Sequence, residues 1–417
     1  MNKARNLLLV THLGVALLGG GCSREGSSTL PPPAAPEKPT LTELKPKVDT
    51  LLAAHDTVMI RRGIDDVFAL VDRLTEAGRG GEAMHYLGIA LKHNAWALDY
   101  QLRYAEMLRD QAEIEQATQK ARLVLEHAEQ DALVVRAREL AGEEPLPPIP
   151  PLGPVSHNEP ALVLVAVGPV DRCVLYPLAE RIRAELSVAV LVRDAGVPVP
   201  GFKRDPVKRF LAGAREKIRA IFRSDLPTAL FLRRRGVALS ELNQDEVVVK
   251  ACRLLSFKTG AADGLAEFDR GMRRLEQAPK QWDIQDLFRS LKTAVQAYRK
   301  PNVYFMGVAN LDAFAGKGNF IFGTAQNRGH HAMIVYRRFT AKFNDETPSR
   351  NRLLERTLKQ ALSSFGFMLG VQRCSTPTCA RAYPNSLREH DAKSAELCAE
   401  CRAGFEQALG ARRAAGE

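Results

Sequence analysis

Ser363-Ser-Phe-Gly-Phe-Met-Leu-Gly370-Val-Gln-Arg373-Cys374 ends a long run, from about Arg350 to Gly370, that reads as one helix, and opens a four-cysteine pattern. Cys374, Cys379, Cys398 and Cys401 are spaced C-x4-C, then 18 residues, then C-x2-C. Two close thiolate pairs at that separation can approach one metal from opposite sides, the arrangement of a structural zinc cage. If the chain is exported, the same residues could instead oxidise to Cys374–Cys379 and Cys398–Cys401 disulfides. A C-x2-C bridge is short and strained, whereas a shared site satisfies all four sulfurs. Zinc is the expected occupant. Cys173 and Cys252 lie in apolar surroundings and read as buried packing residues.

Working outward, the 417 residues suffice for two or three domains, with 45% hydrophobic and 26% charged residues. The net charge of +11 favours acidic surfaces. No nucleic-acid recognition motif accompanies it, and no nucleic-acid partner is expected.

The N-terminus carries Lys3 and Arg5, an apolar stretch from Leu7 to Leu18, then Gly19-Gly-Gly-Cys22. This stretch is too short for a membrane span, which needs about 20 residues. It fits a signal peptide over residues 1–22 with Cys22 as a lipidation site. The expectation is an exported bacterial lipoprotein, on the periplasmic or cell-surface side, held by acyl chains and not by a helix. Residues 23–46 are Pro- and Ser-rich and read as a tether.

Residues 47–142 lack proline and read as all helix, with Gly78, Gly80 and Gly81 marking a turn. Ala83 aligns with Ala117, Leu91 with Leu125 and His93 with His127, an offset of 34 residues that matches the tetratricopeptide period. Helix-hairpin arrays bind peptides or proteins, so this domain is a candidate partner platform. Residues 143–158, with Pro145-Leu-Pro-Pro-Ile-Pro-Pro151, form a Pro-rich linker before a domain spanning 159–417. Ala161–Val167 reads as a buried strand, Leu178–Leu186 as helix and Val188–Val192 as strand, which together imply an α/β layer. Val303–Val308, Asn319–Phe322 and His331–Tyr336 are further strand candidates. The fold class expected is therefore α/β, preceded by an all-α helical-repeat domain.

From about residue 160 onward the chain resembles the archaemetzincin family of zinc peptidases. The resemblance rests on Val163–Leu186 and on Gly307-Val-Ala-Asn-Leu-Asp312. It also rests on Asn319-Phe-Ile-Phe-Gly-Thr-Ala-Gln326 with Ala332–Phe339, and on the tail with Asn385-Ser-Leu387 between the cysteine pairs. Pro198-Val-Pro-Gly-Phe and Gln281-Trp-Asp resemble one further family segment, split by a helical, basic insertion at about 203–279. The insertion holds 17 Lys and Arg against 10 Asp and Glu, densest at Arg233-Arg-Arg235. It reads as a solvated face, or as a contact for anions such as lipid head groups. The resemblance implies a metzincin-like mixed sheet and one structural zinc.

The family's catalytic element is H-E-x-x-H-x-x-G-x-x-H, placed directly before the first cysteine. Its first two histidines share a helix face, the glycine turns the third back toward the metal, and the glutamate is the general base. In this chain those positions hold Ser363, Ser364, Phe367 and Arg373, and of the element Gly370 alone survives. Phenylalanine has no lone pair for a metal, and arginine is a permanent cation. The family's methionine position after the second cysteine holds Arg381. His330-His331 is the best substitute for a ligand pair, yet neighbours in a strand point to opposite faces. Asp312 reads as a turn or cap residue. A Ser-His-Asp site on Ser363 or Ser364 is disfavoured by their placement inside a helix.

The expected function is that of a catalytically inactive, lipid-anchored archaemetzincin-like protein. It keeps one four-cysteine structural zinc and binds a protein or peptide through the helical domain or the former cleft. The alternative is a zinc metallopeptidase with non-standard ligands.

Overall fold

The structure is a computed structural model describing residues 39–414, apart from 55, 156–158, 259–267, 269–271, 273–279, 317, 319 and 385. The signal segment, Cys22, most of the expected tether, Asn319 and Asn385 lie outside the described residues. Among those described, no helix is long and apolar enough to cross a membrane.

Among the described residues seven helices come first: α1 Leu41–Ala53, α2 Thr57–Arg62, α3 Ile64–Glu76, α4 Gly80–His93, α5 Leu98–Asp110, α6 Ile114–His127 and α7 Asp131–Ala141. Helix α1 begins inside the stretch read as tether and contains Pro46. A capping box between Thr40 and Glu43 and the buried side chains of Leu44 and Val48 hold it despite the missing donor. Helices α3 and α4 start and end 34 residues before α5 and α6 respectively, so the period seen in the sequence is a repeated helix hairpin. Left-handed Gly78 and Gly142, with φ of 71° and 69°, turn the chain after α3 and α7.

The rest is α/β. Strands β1 Ala161–Val167, β2 Ala189–Val197, β3 Gln281–Asp283, β4 Val303–Ala309, β5 Asp312–Phe314, β6 Gly323–Ala325 and β7 His331–Val335 form two sheets. The larger has the order β2-β1-β4-β7-β6, with β6 antiparallel to β7 and the other pairs parallel. The mixed sheet implied by the resemblance is therefore present. The strand expected at 319–322 lies slightly later, at β6, because Ile321 instead bridges to Ala313 of β5.

Alternation along the strands fills two cores. Leu162, Leu164, Tyr304, Met306 and Ile334 point toward helices α8 Arg172–Leu186 and α14 Arg350–Leu369. Val163, Val165, Phe305, Met333 and Val335 face helix α12 Ile284–Val295, and the short helices α13 Ala341–Asn344 and α15 Leu387–Ala392 precede and follow α14 in the chain. Burial on both faces explains why β1, β4 and β7 read as apolar runs and not as alternating ones. Gly307 is required in β4, because a Cβ there would lie 2.6 Å from the sulfur of Met333.

The first core does not stop at the proline stretch. Leu98, Leu102, Val124, Val134 and Ala137 of α5–α7 belong to the same buried cluster as the sheet residues. Asp131 ties the two parts together, accepting from Arg172 Nε at 2.9 Å and from the Cys173 backbone N–H at 2.8 Å. The proline stretch is itself anchored, since Arg172 donates to the Leu146 carbonyl and Tyr176 to that of Pro148, each at 2.9 Å.

The basic insertion contains α9 Pro206–Ser224, α10 Leu226–Arg234 and α11 Asp245–Lys258, which pack on one another around Leu211, Ile218, Leu232 and Val248. Its two ends meet: the Lys203 N–H donates to the Gln281 carbonyl at 2.9 Å, and the Gln281 N–H to the Arg204 carbonyl at 2.9 Å. Trp282 Nε1 donates to the Pro200 carbonyl at 2.8 Å. The segments read as one family element split by an insertion are thus rejoined in space.

Candidate metal centre and the helix end beside it

Helix α14 begins with Ser349, whose hydroxyl accepts from the Arg352 N–H. It ends in a Schellman turn: the Val371 N–H reaches the Gly366 carbonyl at 2.8 Å, and the Gly370 N–H that of Phe367 at 3.1 Å. Gly370 sits at φ 83°, the left-handed region that favours glycine. The turn sends residues 371–374 back along the helix, so the Arg373 guanidinium lies 5.9 Å from the Phe367 ring and 4.7 Å from that of Tyr383.

That return would bring a third ligand back to a metal held by positions 363 and 367. The side chains present differ. Ser363 and Phe367 are half-buried, Ser364 is buried and accepts from Gln360 Nε2 at 3.1 Å, and Arg373 is exposed. Phe365 and Met368 pack into the sheet-side core, Phe365 edge-on to Tyr304 at 5.5 Å, and do not plug a cleft.

Past the turn the four cysteines converge. The Sγ atoms of Cys374, Cys379, Cys398 and Cys401 all lie within 4.8 Å of one another, with Cys374 and Cys398 3.5 Å apart. No disulfide joins any of the four. Sulfurs bound tetrahedrally to zinc at about 2.3 Å stand about 3.8 Å apart, whereas a disulfide needs about 2.05 Å. The spacing fits one shared ion. Among the described residues this is the one group of three or more potential ligands so arranged.

Cys398 precedes helix α16, Ala399–Ala414, and a hydrogen bond from the Cys401 backbone N–H pulls its thiol down to about 7. Burial pushes the Cys401 thiol up. Two buried cations flank the cluster, and the sequence reading missed their role. Arg381 is 2% exposed; its Nη1 donates to Cys401 Sγ at 3.4 Å and its Nη2 to the Val371 carbonyl at 2.7 Å. Lys393 is 6% exposed and donates to the carbonyls of Ala380 and Ala382 at 2.9 and 3.0 Å. Neither has a carboxylate partner among the described residues. Burying two such charges is costly unless an anion compensates, and a zinc ion with four thiolates carries a net charge of about −2. The available signal was that Arg381 and Lys393 both lie between the cysteine pairs, Arg381 at the position where the resemblance implies a methionine.

The other expected sites resolve differently. His330 and His331 take opposite faces of the sheet, stacking on Tyr304 and Phe305 respectively, and do not converge. His331 is buried with its Nδ1 unpartnered, and desolvation pulls it down to about 4. Asp312 is no turn or cap residue. It is 2% exposed, forms a two-pronged ion pair with Arg338 at 2.6 and 3.0 Å, and accepts from Gln281 Nε2 at 3.0 Å. The turn reading failed because its partners lie 26 and 31 residues away. Cys173 and Cys252 are buried packing residues as expected; burial pushes Cys252 up to about 12.

The C-terminal part is thus a mixed sheet backed by a long helix whose glycine-turned end runs into a four-cysteine cluster. Residues 264–407 match the model of Peptidase family M54. Archaemetzincin from Pyrococcus furiosus is 36% identical over 105 residues, 25% of this chain and 55% of the relative. That from Methanocaldococcus jannaschii is 32% identical over 96 residues, 23% of this chain and 54% of the relative. The chain thus spans about half the length of these relatives. A crystal structure of archaemetzincin from Methanopyrus kandleri aligns with a TM-score of 0.36 at 18% identity, covering 61% of this chain and 97% of that one. The C-terminal part of the chain is archaemetzincin-like. The family-model match begins within the basic insertion, downstream of β1, α8 and β2.

Proposed function

We propose that this protein is an archaemetzincin-type domain converted from hydrolysis to binding, stabilised by one structural zinc on Cys374, Cys379, Cys398 and Cys401. The observation that carries the reading is the end of α14. The Schellman turn at Gly370 keeps the return geometry, while Ser363, Ser364, Phe367 and Arg373 supply neither metal ligands nor a general base. The sulfur spacing and the two buried cations support a metal at the cysteines. The zinc would cross-link the end of α14 to α16 and fix the tail. In this reading a peptide or protein segment occupies the former cleft or the helical repeat, and Cys22 carries the acyl anchor that keeps an exported protein at the membrane.

Metal analysis of the purified full chain, combined with a broad peptide-cleavage screen, tests this. The expected result is one zinc per chain, lost in Cys398→Ser/Cys401→Ser, with no cleavage that a chelator abolishes. A second zinc accompanied by chelator-sensitive cleavage overturns it. Loss of membrane fractionation in Cys22→Ala is expected; unchanged fractionation rejects the anchor.

A further inference from the structure

The insertion carries a surface that is both apolar and basic. Helix α10 is short, and its buried side, Thr228, Ala229 and Leu232, seats it on α9 and α11. Its outer side is apolar where it should be polar: Leu226 is 68% and Leu230 41% exposed, and Leu239 just beyond is 45% exposed. Leu226, Leu230, Arg233 and Arg234 fall at i, i+4, i+7 and i+8, one face of the helix. Arg233, Arg234 and Arg235 are all exposed, and among the described residues none has an ionic partner. Residues 226–240 contain no acidic side chain. Lys250 adds a further cation at the tip, donating to the Gly236 carbonyl at 3.2 Å. Two guanidiniums are also braced: Arg233 lies 5.6 Å from the Phe222 ring and Arg235 5.6 Å from that of Phe231.

Leucines set beside unpaired arginines on one helix face match the chemistry of an anionic lipid surface. The apolar side chains enter the boundary of the acyl chains, and the guanidiniums lie level with phosphates. We propose that the α10 tip, with Leu226, Leu230, Leu239 and Arg233–Arg235, is a membrane-surface contact for anionic phospholipid. It does not depend on the acyl anchor or on the state of the cysteine cluster. Where an anchor is present, it would give the body a second, orienting contact, since one weak attachment is reversible and two are not.

The test is co-sedimentation of the full chain carrying Cys22→Ala. Vesicles of phosphatidylcholine with phosphatidylglycerol are compared with phosphatidylcholine alone. Binding to the anionic vesicles is expected to exceed binding to the neutral ones and to fall as salt is raised. Arg233→Gln/Arg234→Gln is expected to weaken it about 30-fold, from about fivefold per basic residue. Leu226→Ser/Leu230→Ser removes the apolar part and is expected to weaken binding at high salt as well. These side chains are exposed, so both variants are expected to keep the parent's thermal midpoint. Equal binding to both vesicle types, or variants that bind like the parent, overturns the proposal. Retained binding to an acidic polymer with no vesicle binding also overturns it and assigns the face to an acidic macromolecule.

Discussion

Arg381→Met replaces the buried cation beside the cysteines with the residue type the family carries at that position. If the cluster is a zinc tetrathiolate, Arg381 donates a charge-assisted hydrogen bond to an anionic sulfur at 3.4 Å in a site it shares with Cys401. Hydrogen bonds to charged groups contribute about 1.5–3 kcal/mol. Taking about 2 kcal/mol, zinc should be released about 30-fold more readily. Arg381→Lys, which keeps the charge and loses the fork, should fall between the two. The assay is competition with a chromophoric chelator, read as zinc transferred from the folded chain. If the cysteines were instead neutral thiols or disulfides, Arg381 would be an uncompensated buried cation, and its replacement by Met would leave stability unchanged or raise it. An Arg381→Met variant that holds zinc as tightly as the parent, or has a higher thermal midpoint, refutes the charge argument.

Gly366 sits under Arg381, and a Cβ there would lie 2.5 Å from its Nε. Gly366→Ala should therefore destabilise the parent by about 1–3 kcal/mol, but stabilise Arg381→Met by about 1 kcal/mol through helix propensity; a urea-unfolding double-mutant cycle reads the change of sign. Because the turn at Gly370 is kept, Ser363→His/Phe367→His/Arg373→His should raise the metal content from one zinc per chain to two, measured by elemental analysis. Asp312→Asn leaves Arg338 facing a neutral amide and should cost about 3 kcal/mol in unfolding free energy. His331 and His390 are held neutral by burial, at about 4 and about 3, against 6.5 when exposed. The unfolded chain therefore takes up protons first, and stability should fall as pH drops from 6.5 toward 4; His331→Leu should flatten that slope in unfolding curves taken across this range.

The parts legible in the sequence were those encoded by local periodicity or fixed spacing. The 34-residue offset marked real helix bounds because each hairpin repeats its own burial pattern. The cysteine spacing located the cluster, and the residues before Cys374 located the turn. What was not legible depends on partners distant in sequence. Asp312 could be assigned only once Arg338 and Gln281 were seen against it, and Lys393 only once its carbonyl partners were known. The proline stretch read as a boundary, yet its carbonyls are pinned to α8 and the core runs beneath it. Composition records stiffness, not what a segment lies on.

That continuous core carries a consequence for any attempt to take the molecule apart. The helical array is cut in two by allegiance and not by sequence: α1, α3 and α4 close around their own cluster, while α5–α7 are built into the sheet's interior. The natural seam thus falls between the two hairpins of the repeat, near Ala95, and not at the prolines. A fragment starting at residue 143 would strip α8 and α14 of a wall and lay bare the side of them that carries Cys173 and Leu354. One starting just before Leu98 would carry its interior whole. Exchange of repeats in related chains should accordingly be confined to the first hairpin, with the second inherited together with the domain it lines.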